Sequence, residues 1–156
     1  MPRIELTTRI EAPRERCFDL ARSVELHMQS TAATGETAIA GKTSGLLELG
    51  EEVTWRARHL GRWQTLTSRI TAYDRPAYFR DSMVSGAFVR FDHDHFFDED
   101  GRGGTLMRDV FDFVAPWGVL GRLAEHLFLC GYLRRFLEIR NRELKAVAES
   151  AVESPR

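Results

Sequence analysis

Two neighbouring stretches of this 156-residue chain combine histidine, carboxylate and aromatic side chains with the alternation typical of β-strands. In residues 89–97, one face is mostly apolar but carries two histidines: Val89, Phe91, His93, His95 and Phe97. In residues 105–113, the corresponding face carries one carboxylate: Thr105, Met107, Asp109, Phe111 and Phe113. Because unpaired polar groups are costly inside a core, these side chains predict a cavity rather than a solid core.

The segment between the two stretches, residues 98–104, is rich in Asp and Gly, which predicts a β-hairpin. The most direct register places Phe97 opposite Thr105. The pairs that follow from it are His95 with Met107, His93 with Asp109, and Phe91 with Phe111.

The predicted pairing of His93 with Asp109 has three chemical interpretations. A carboxylate can orient a histidine as a general acid or base, and imidazole titrates near neutral pH. The same pair can hydrogen-bond a carbonyl or hydroxyl group of a ligand. It can also be a cross-strand pair that only fixes the register of the hairpin. His93 and Asp109 are therefore candidate catalytic residues, with all three roles open.

A metal centre is a further possibility, because two histidines and one carboxylate on the same sheet face form a familiar ligand set. His93, His95 and Asp109 would supply it, and His59 would add a nitrogen donor. The sequence has no HExxH-like motif and no cysteine motif that would support a metal site. We therefore expect neither a metal nor another cofactor.

Other polar residues lie where they could reach the same cavity. His27 and Ser30 end a short predicted helix, where they would either form helix-terminal hydrogen bonds or line the mouth of the cavity. Trp55 and His59 share one face of a predicted strand, which places them in the core or on the cavity wall.

Asp81 lies on a separate short strand, predicted at residues 77–84. Its charge requires a partner if the strand is partly buried. We expect an ion pair with an arginine such as Arg69 or Arg90.

The elements that position these residues follow from the pattern of apolar side chains. Strands are predicted at residues 3–11, 35–41, 52–60, 63–73 and 77–84, ahead of the hairpin, with the register of 63–73 left open. Pro13 begins one short helix, and Ser23 is a candidate N-cap for a second at residues 24–28. Leucines spaced by three, four and seven residues predict a long amphipathic helix from Val119 to Val147. Strands joined by short turns form an antiparallel meander, whose apolar face this helix must cover.

Composition places the chain among ordinary globular proteins, with 43% hydrophobic residues and a formal net charge of −1. We expect a single domain at residues 1–150 and a short tail at 151–156. The charge offers no general attraction for nucleic acid. Because we find neither a signal-peptide pattern nor a run long enough to span a bilayer, we expect a cytoplasmic protein without stable membrane insertion. Cys17 and Cys130 are then expected to be reduced thiols.

Several short motifs, all different, follow one another along most of the chain before the long helix. They lie at residues 4–13, 26–30, 45–55, 68–71, 79–81, 86–88, 93–96, 104–109 and 116–118. This ordered set resembles the START/Bet v 1-like helix-grip fold, and more closely the bacterial SRPBCC superfamily of polyketide cyclase/dehydrase-like and ligand-binding proteins. The resemblance implies an α+β domain in which a curved antiparallel sheet of about seven strands surrounds a long C-terminal helix, with two short helices after the first strand. It implies an internal cavity for an apolar or amphipathic small molecule, but no single reaction.

We therefore predict a cavity between sheet and helix that holds a hydrophobic or aromatic small molecule, lipid or polyketide-like in character. Its predicted lining is Trp55, His59, Phe91, His93, His95, Met107, Asp109, Phe111, Leu123 and Leu127. Two other classes stay open: a cyclase, dehydratase or hydrolase that uses His93 as acid or base oriented by Asp109, and a protein-interaction or regulatory module. The sequence is also compatible with a homodimer.

Overall fold

A computed structural model describes residues 2–116, 118, 123 and 128–150 of the chain. The strands are β1 (Arg3–Ile10), β2 (Thr37–Gly41), β3 (Glu52–His59), β4 (Arg62–Asp74), β5 (Tyr78–Ser85), β6 (Arg90–Glu99) and β7 (Thr105–Val114). The helices are α1 (Arg14–Ala21), α2 (Val24–Ser30) and α3 (Cys130–Ser150), with a short 3₁₀ turn at Ala32–Thr34.

The seven strands form one antiparallel sheet in the order β1-β7-β6-β5-β4-β3-β2. Strands β2 to β7 follow each other as a meander, and β1 joins the sheet by pairing with β7. Bulges between β2 and β3 and between β4 and β5 bend the sheet. Helix α3 contacts β1, α1 and α2. The predicted helix-grip architecture is confirmed.

The two short helices begin as the sequence predicts. Pro13 occupies the N-cap position of α1 in an extended conformation. The side chain of Ser23 accepts a hydrogen bond from the backbone N–H of Leu26, with 3.2 Å between the heavy atoms, and so caps α2. This cap fixes the direction of α2, which carries His27 toward β3.

The β6–β7 hairpin is closed by a shorter connection than the sequence prediction assumed. Asp100 Oδ1 accepts hydrogen bonds from the backbone N–H groups of Arg102 (2.7 Å) and Gly104 (2.9 Å). This Asx-type turn lets β6 continue to Glu99, which pairs with Thr105.

The predicted register is therefore wrong by two residues. The observed pairs are Phe97 with Met107, His95 with Asp109, His93 with Phe111, and Phe91 with Phe113. Because side chains alternate with a period of two, the shift leaves every residue on its predicted face. The histidines and Asp109 still share one surface of the sheet.

Apolar packing is divided between two clusters on that surface. In the first, the ring of Phe18 on α1 packs edge-on against Tyr73, Phe79 and Phe97, with centroid distances of 5.3–5.4 Å. In the second, Phe91, Phe111 and Phe113 pack with residues of α3. The two clusters flank a cavity between the sheet and the helices.

The long helix extends further at its C-terminal end than the sequence predicts. Within the described residues it begins at Cys130, and it continues to Ser150 rather than ending at Val147. Most of the predicted first part, including Leu127, lies outside the described residues, as does the predicted tail at 151–156. The buried residues of α3 recur with helical spacing: Leu137, Arg140, Asn141, Leu144 and Ala148.

Candidate functional site

A partly enclosed cavity of about 160 Å³ lies between α3, α2 and the inner surface of the sheet. Its walls are mainly apolar, with side chains from β3, β4, β6, β7 and α3: Val53, Trp55, Leu66, Phe91, Phe111, Leu133 and Phe136. Polar side chains reach the same cavity in two groups.

Six of the ten predicted lining residues lie on this cavity: Trp55, His59, Phe91, His93, His95 and Phe111. Met107 is instead fully buried in the core, because the two-residue shift of the hairpin sets it opposite Phe97. Asp109 is also fully buried and contacts the two histidines away from the cavity wall. Leu123 is 62% exposed and does not line the cavity, and Leu127 lies outside the described residues.

The first polar group, which we call the central cluster, consists of Asp81, His93, His95, Asp109, Arg140 and Asn141. Asp109 lies at the centre of this cluster. Asp109 Oδ1 lies 2.9 Å from His93 Nε2, and its Oδ2 accepts a hydrogen bond from Asn141 Nδ2 at 2.7 Å. Arg140 Nη1 lies 3.5 Å from Asp109 Oδ1. This fully buried carboxylate thus has partners from both the sheet and α3.

His95 links Asp109 to a second carboxylate. Its Nδ1 lies 3.1 Å from Asp109 Oδ1, at an angle too poor for a hydrogen bond, and its Nε2 lies 2.8 Å from Asp81 Oδ2. His93 Nδ1 lies 3.9 Å from the same Asp81 oxygen. The two imidazole rings are adjacent, with centroids 3.8 Å apart. Each ring therefore lies between Asp109 and Asp81.

These contacts shift the pKa values of the two histidines in opposite directions. Burial, followed by the neighbouring His95, lowers the pKa of His93. Burial also opposes protonation of His95, but the Asp109 and Asp81 carboxylates outweigh it and raise the pKa of His95. With His95 protonated, it and Arg140 balance the negative charges of Asp81 and Asp109.

The pKa values of the two carboxylates, Asp109 and Asp81, are both lowered. Burial alone would raise the pKa of Asp109, but His93 and His95 hold it well below the usual range. Burial likewise opposes ionisation of Asp81, yet His95 and His93 lower its pKa. Because an ionised carboxylate only accepts hydrogen bonds, His93 Nε2 must carry the proton that it shares with Asp109. In the neutral ring, Nδ1 is then the basic nitrogen.

The second polar group, which we call the edge cluster, consists of His27, Glu36, His59 and Tyr132. His27 Nε2 lies 3.0 Å from Glu36 Oε2, and the His27 ring stacks on Trp55 with centroids 4.2 Å apart. His59 Nδ1 lies 2.8 Å from the hydroxyl of Tyr132. His27, Glu36 and His59 all line the cavity.

One prediction from the sequence concerns the partner of Asp81. The arginine partners expected for Asp81 are wrong, because Arg69 pairs with Glu52 and Arg90 with Asp92. Those two arginines point to the outer surface, whereas Asp81 shares the inner surface with the histidines.

Arg140, Asn141 and Glu36 were missed for different reasons. Arg140 and Asn141 sit in a charged stretch of α3 that resembles a solvated helix face, yet both are buried. Glu36 precedes a weak strand, and only its position opposite His27 reveals its role. Arg140 and Asn141 do follow Leu137 and precede Leu144 on the buried stripe, which was the available signal.

A metal ion would find a different ligand set from the one considered in the sequence. Asp81, His93 and His95 each offer a donor atom, and these atoms lie within 4.8 Å of one another. Asp109 would then support the two histidines from behind, as carboxylates do in many metal sites. The positive charge of Arg140 beside the carboxylates opposes the arrival of a further cation.

In the part of the chain that the structure describes, no helix has both the length and the apolar character needed to cross a bilayer.

Comparison with known proteins places the chain in a family. A family model described as "Polyketide cyclase / dehydrase and lipid transport" matches residues 1–149, and the chain belongs to that family. The resemblance to the START/Bet v 1-like SRPBCC superfamily is thereby confirmed. A search of curated proteins found no match.

Solved structures share the fold at low sequence identity. The protein TTHA0849 from Thermus thermophilus is 19% identical, with a TM-score of 0.78 over 98% of this chain and 100% of that chain. A START superfamily protein from Mycobacterium smegmatis is 13% identical, with a TM-score of 0.72 over 96% and 98%. The major latex-like protein 151 of Panax ginseng is 18% identical, with a TM-score of 0.66 over 94% and 97%.

Proposed function

We propose that the protein binds an apolar or aromatic small molecule in the cavity, with a polar group of that molecule directed at Asp81 and His93. The observation that carries this proposal is the cavity itself, whose aromatic wall ends at a buried cluster of carboxylates and histidines. Apolar walls with a few convergent polar groups are typical of small-molecule sites. The family description, which includes lipid transport, supports the same class of ligand.

Ala57 allows a direct test, because its small side chain lies on the cavity wall and is only 3% exposed. We expect the neutral fluorescent probe N-phenyl-1-naphthylamine to bind the wild type with a saturable rise in emission. Ala57→Phe should fill part of the cavity and weaken binding at least tenfold. Ala40→Phe, at an exposed position on the neighbouring strand β2, is the matched control and should bind like the wild type.

Two results would contradict the proposal. One is the absence of saturable binding to the folded wild type. The other is equal binding by Ala57→Phe and Ala40→Phe, which would place the probe on the surface.

A second candidate function is proton-transfer catalysis on a bound carbonyl compound, and the orientation of His93 favours it. Its Nε2 is engaged by Asp109 at 2.9 Å, while Nδ1 is the basic nitrogen of a ring that lines the cavity. A histidine held in this way is a suitable general base. In a dehydration, Nδ1 would take the proton from the carbon beside the carbonyl. The C–O bond at the next carbon would then break, and its hydroxyl would take a proton from solvent and leave as water.

A further inference from the structure

The cavity has two polar ends rather than one. The central cluster contributes Asp81 and His93 from β5 and β6, while the edge cluster contributes Glu36 and His59 from near the β2 edge of the sheet. Apolar side chains of β3, β4 and α3 line the space between. The proposed ligand uses only the first end, so the edge cluster needs an explanation of its own.

Strand register shows that the two ends are well separated. Asp81 pairs with Ile70 on β4. Glu36 contacts His27, whose ring packs against Trp55, and Trp55 pairs with Leu66 on the same strand. Positions 66 and 70 are four residues apart, which corresponds to about 13 Å along a straight strand. Strands β5 and β3 are also separated by β4, which adds about 10 Å across the sheet before curvature shortens the path. A single ring cannot reach both ends.

Glu36 is the group at the edge cluster best suited to bind a ligand. Its side chain is only 9% exposed, yet it lines the cavity. Burial opposes its ionisation, but the contact with His27 outweighs this and keeps the pKa of Glu36 below its usual value. An ionised carboxylate facing an apolar cavity accepts hydrogen bonds strongly, because the low local dielectric strengthens each contact.

The neighbouring histidine completes the recognition surface. Burial lowers the pKa of His59, so its ring is neutral near physiological pH. One ring nitrogen is engaged by Tyr132, and Phe136 packs edge-on against the ring with centroids 5.5 Å apart. The ring is thus held in place beside the carboxylate. The polar atoms of the edge cluster are therefore held in fixed positions by their neighbours.

We propose that the ligand is elongated and carries polar groups at both ends, with a hydrogen-bond donor such as a hydroxyl or ammonium group bound by Glu36. This inference rests on the proposed function, because it names the shape and polarity of the molecule bound in the same cavity. It excludes a ligand with one polar head and a wholly apolar tail as the best-fitting molecule.

Linear alcohols test the proposal, since one or both of their ends can carry a hydroxyl group. Displacement of N-phenyl-1-naphthylamine by 1-octanol and by 1,8-octanediol gives two dissociation constants for each variant. In Glu36→Gln we expect the constant for the diol to rise about tenfold, as for loss of one hydrogen bond to a charged acceptor. The constant for 1-octanol should change less than about twofold.

Two control variants keep this comparison informative. Glu15→Gln removes a carboxylate on the exposed face of α1 and should leave both constants unchanged. Glu36→Asp keeps the charge but withdraws it by one methylene, and should give an intermediate loss for the diol alone. Diols of six, eight and ten carbons should show a preferred length in the wild type that disappears in Glu36→Gln.

The outcomes separate this inference from the proposed function. Equal losses for both alcohols, or no loss for the diol, would overturn the role of Glu36 while leaving cavity binding intact. Failure of either alcohol to displace a probe that itself binds would also overturn it. Absence of probe binding to the wild type would instead remove the proposed function on which the inference depends.

Discussion

His93 and Asp109 are joined across the β6–β7 hairpin by a 2.9 Å contact between Nε2 and Oδ1, although they are not directly opposite each other. Asp109 faces His95 in the register, and His93 reaches it diagonally. One buried carboxylate therefore orients two imidazole rings. This relationship explains both the stability of the cluster and the availability of His93 Nδ1.

Removing the charge of Asp109 should destabilise the fold strongly. In Asp109→Asn, protonated His95 and Arg140 would lose a buried counter-charge, which typically costs about 3 to 5 kcal/mol of unfolding free energy. Urea denaturation followed by circular dichroism measures the change. Asp112→Asn, at the partly exposed partner of Arg3, is the control and should lose much less. Similar losses in the two variants would show that the central cluster is not held by its charges.

The two histidines of the cluster should titrate on opposite sides of the ordinary value of 6.5. NMR spectroscopy of the ring Cε1 protons, assigned with His93→Gln and His95→Gln, measures both. Burial and His95 lower the pKa of His93, whereas Asp109 and Asp81 raise the pKa of His95 above the opposing effect of burial. Two shifts in the same direction would contradict the described arrangement of charges.

The raised pKa of His95 also makes its contribution to stability dependent on pH. Because the folded state binds the proton more tightly, the stabilisation is fully present below the pKa of the unfolded chain. It is lost as the pH rises through the higher pKa of the folded state. The wild type should therefore exceed His95→Gln in unfolding free energy by more at about pH 5.5 than at about pH 9. A difference that stays constant or grows with pH would contradict this sign.

Catalysis, if the second candidate function holds, should depend on His93 more than ligand binding does. A suitable probe reaction is the loss of water from 4-hydroxy-4-phenylbutan-2-one, followed by the absorbance of the conjugated ketone. His93→Gln should lower the rate by about 10² to 10⁴-fold, the usual contribution of a general base, while N-phenyl-1-naphthylamine still binds. Turnover unaffected by this substitution would exclude His93 as the base.

Tyr78 on β5 provides an independent test of the electrostatics on the outer surface of the sheet. Its hydroxyl donates a hydrogen bond to Asp94, and burial together with this carboxylate raises the pKa of Tyr78 to about 12. Ultraviolet titration should show one tyrosine that ionises late, absent in Tyr78→Phe. Asp94→Asn should bring that ionisation closer to the ordinary value of 10.0. A late ionisation that survives Tyr78→Phe would assign it to another residue.

Much of the fold could be predicted because alternation fixes which residues share a sheet face. His93, His95 and Asp109 were placed on one face from the sequence, and a two-residue error in register left them there. The register itself could not be predicted, because it depends on the hydrogen bonds of Asp100 to two backbone N–H groups in the turn. Those bonds set the length of the connection.

The candidate site was harder to predict because its remaining members come from elements far apart in the chain. Asp81 reaches the histidines only through the pairing of β5 with β6, and Arg140 only through the packing of α3. Glu36 precedes β2 and meets His27 from α2. Local patterns carry no information about such contacts, and buried charges on α3 resemble a solvated face until the helix is packed.

Isotope-filtered NMR of the ¹³C-labelled protein with unlabelled N-phenyl-1-naphthylamine shows directly whether a ligand occupies the cavity. Binding in the cavity predicts intermolecular nuclear Overhauser effects from the probe to the side chains of Leu66, Phe91 and Phe111, all on the cavity wall. Contacts confined to exposed apolar residues such as Val84 and Leu106, with none to the cavity wall, would contradict it.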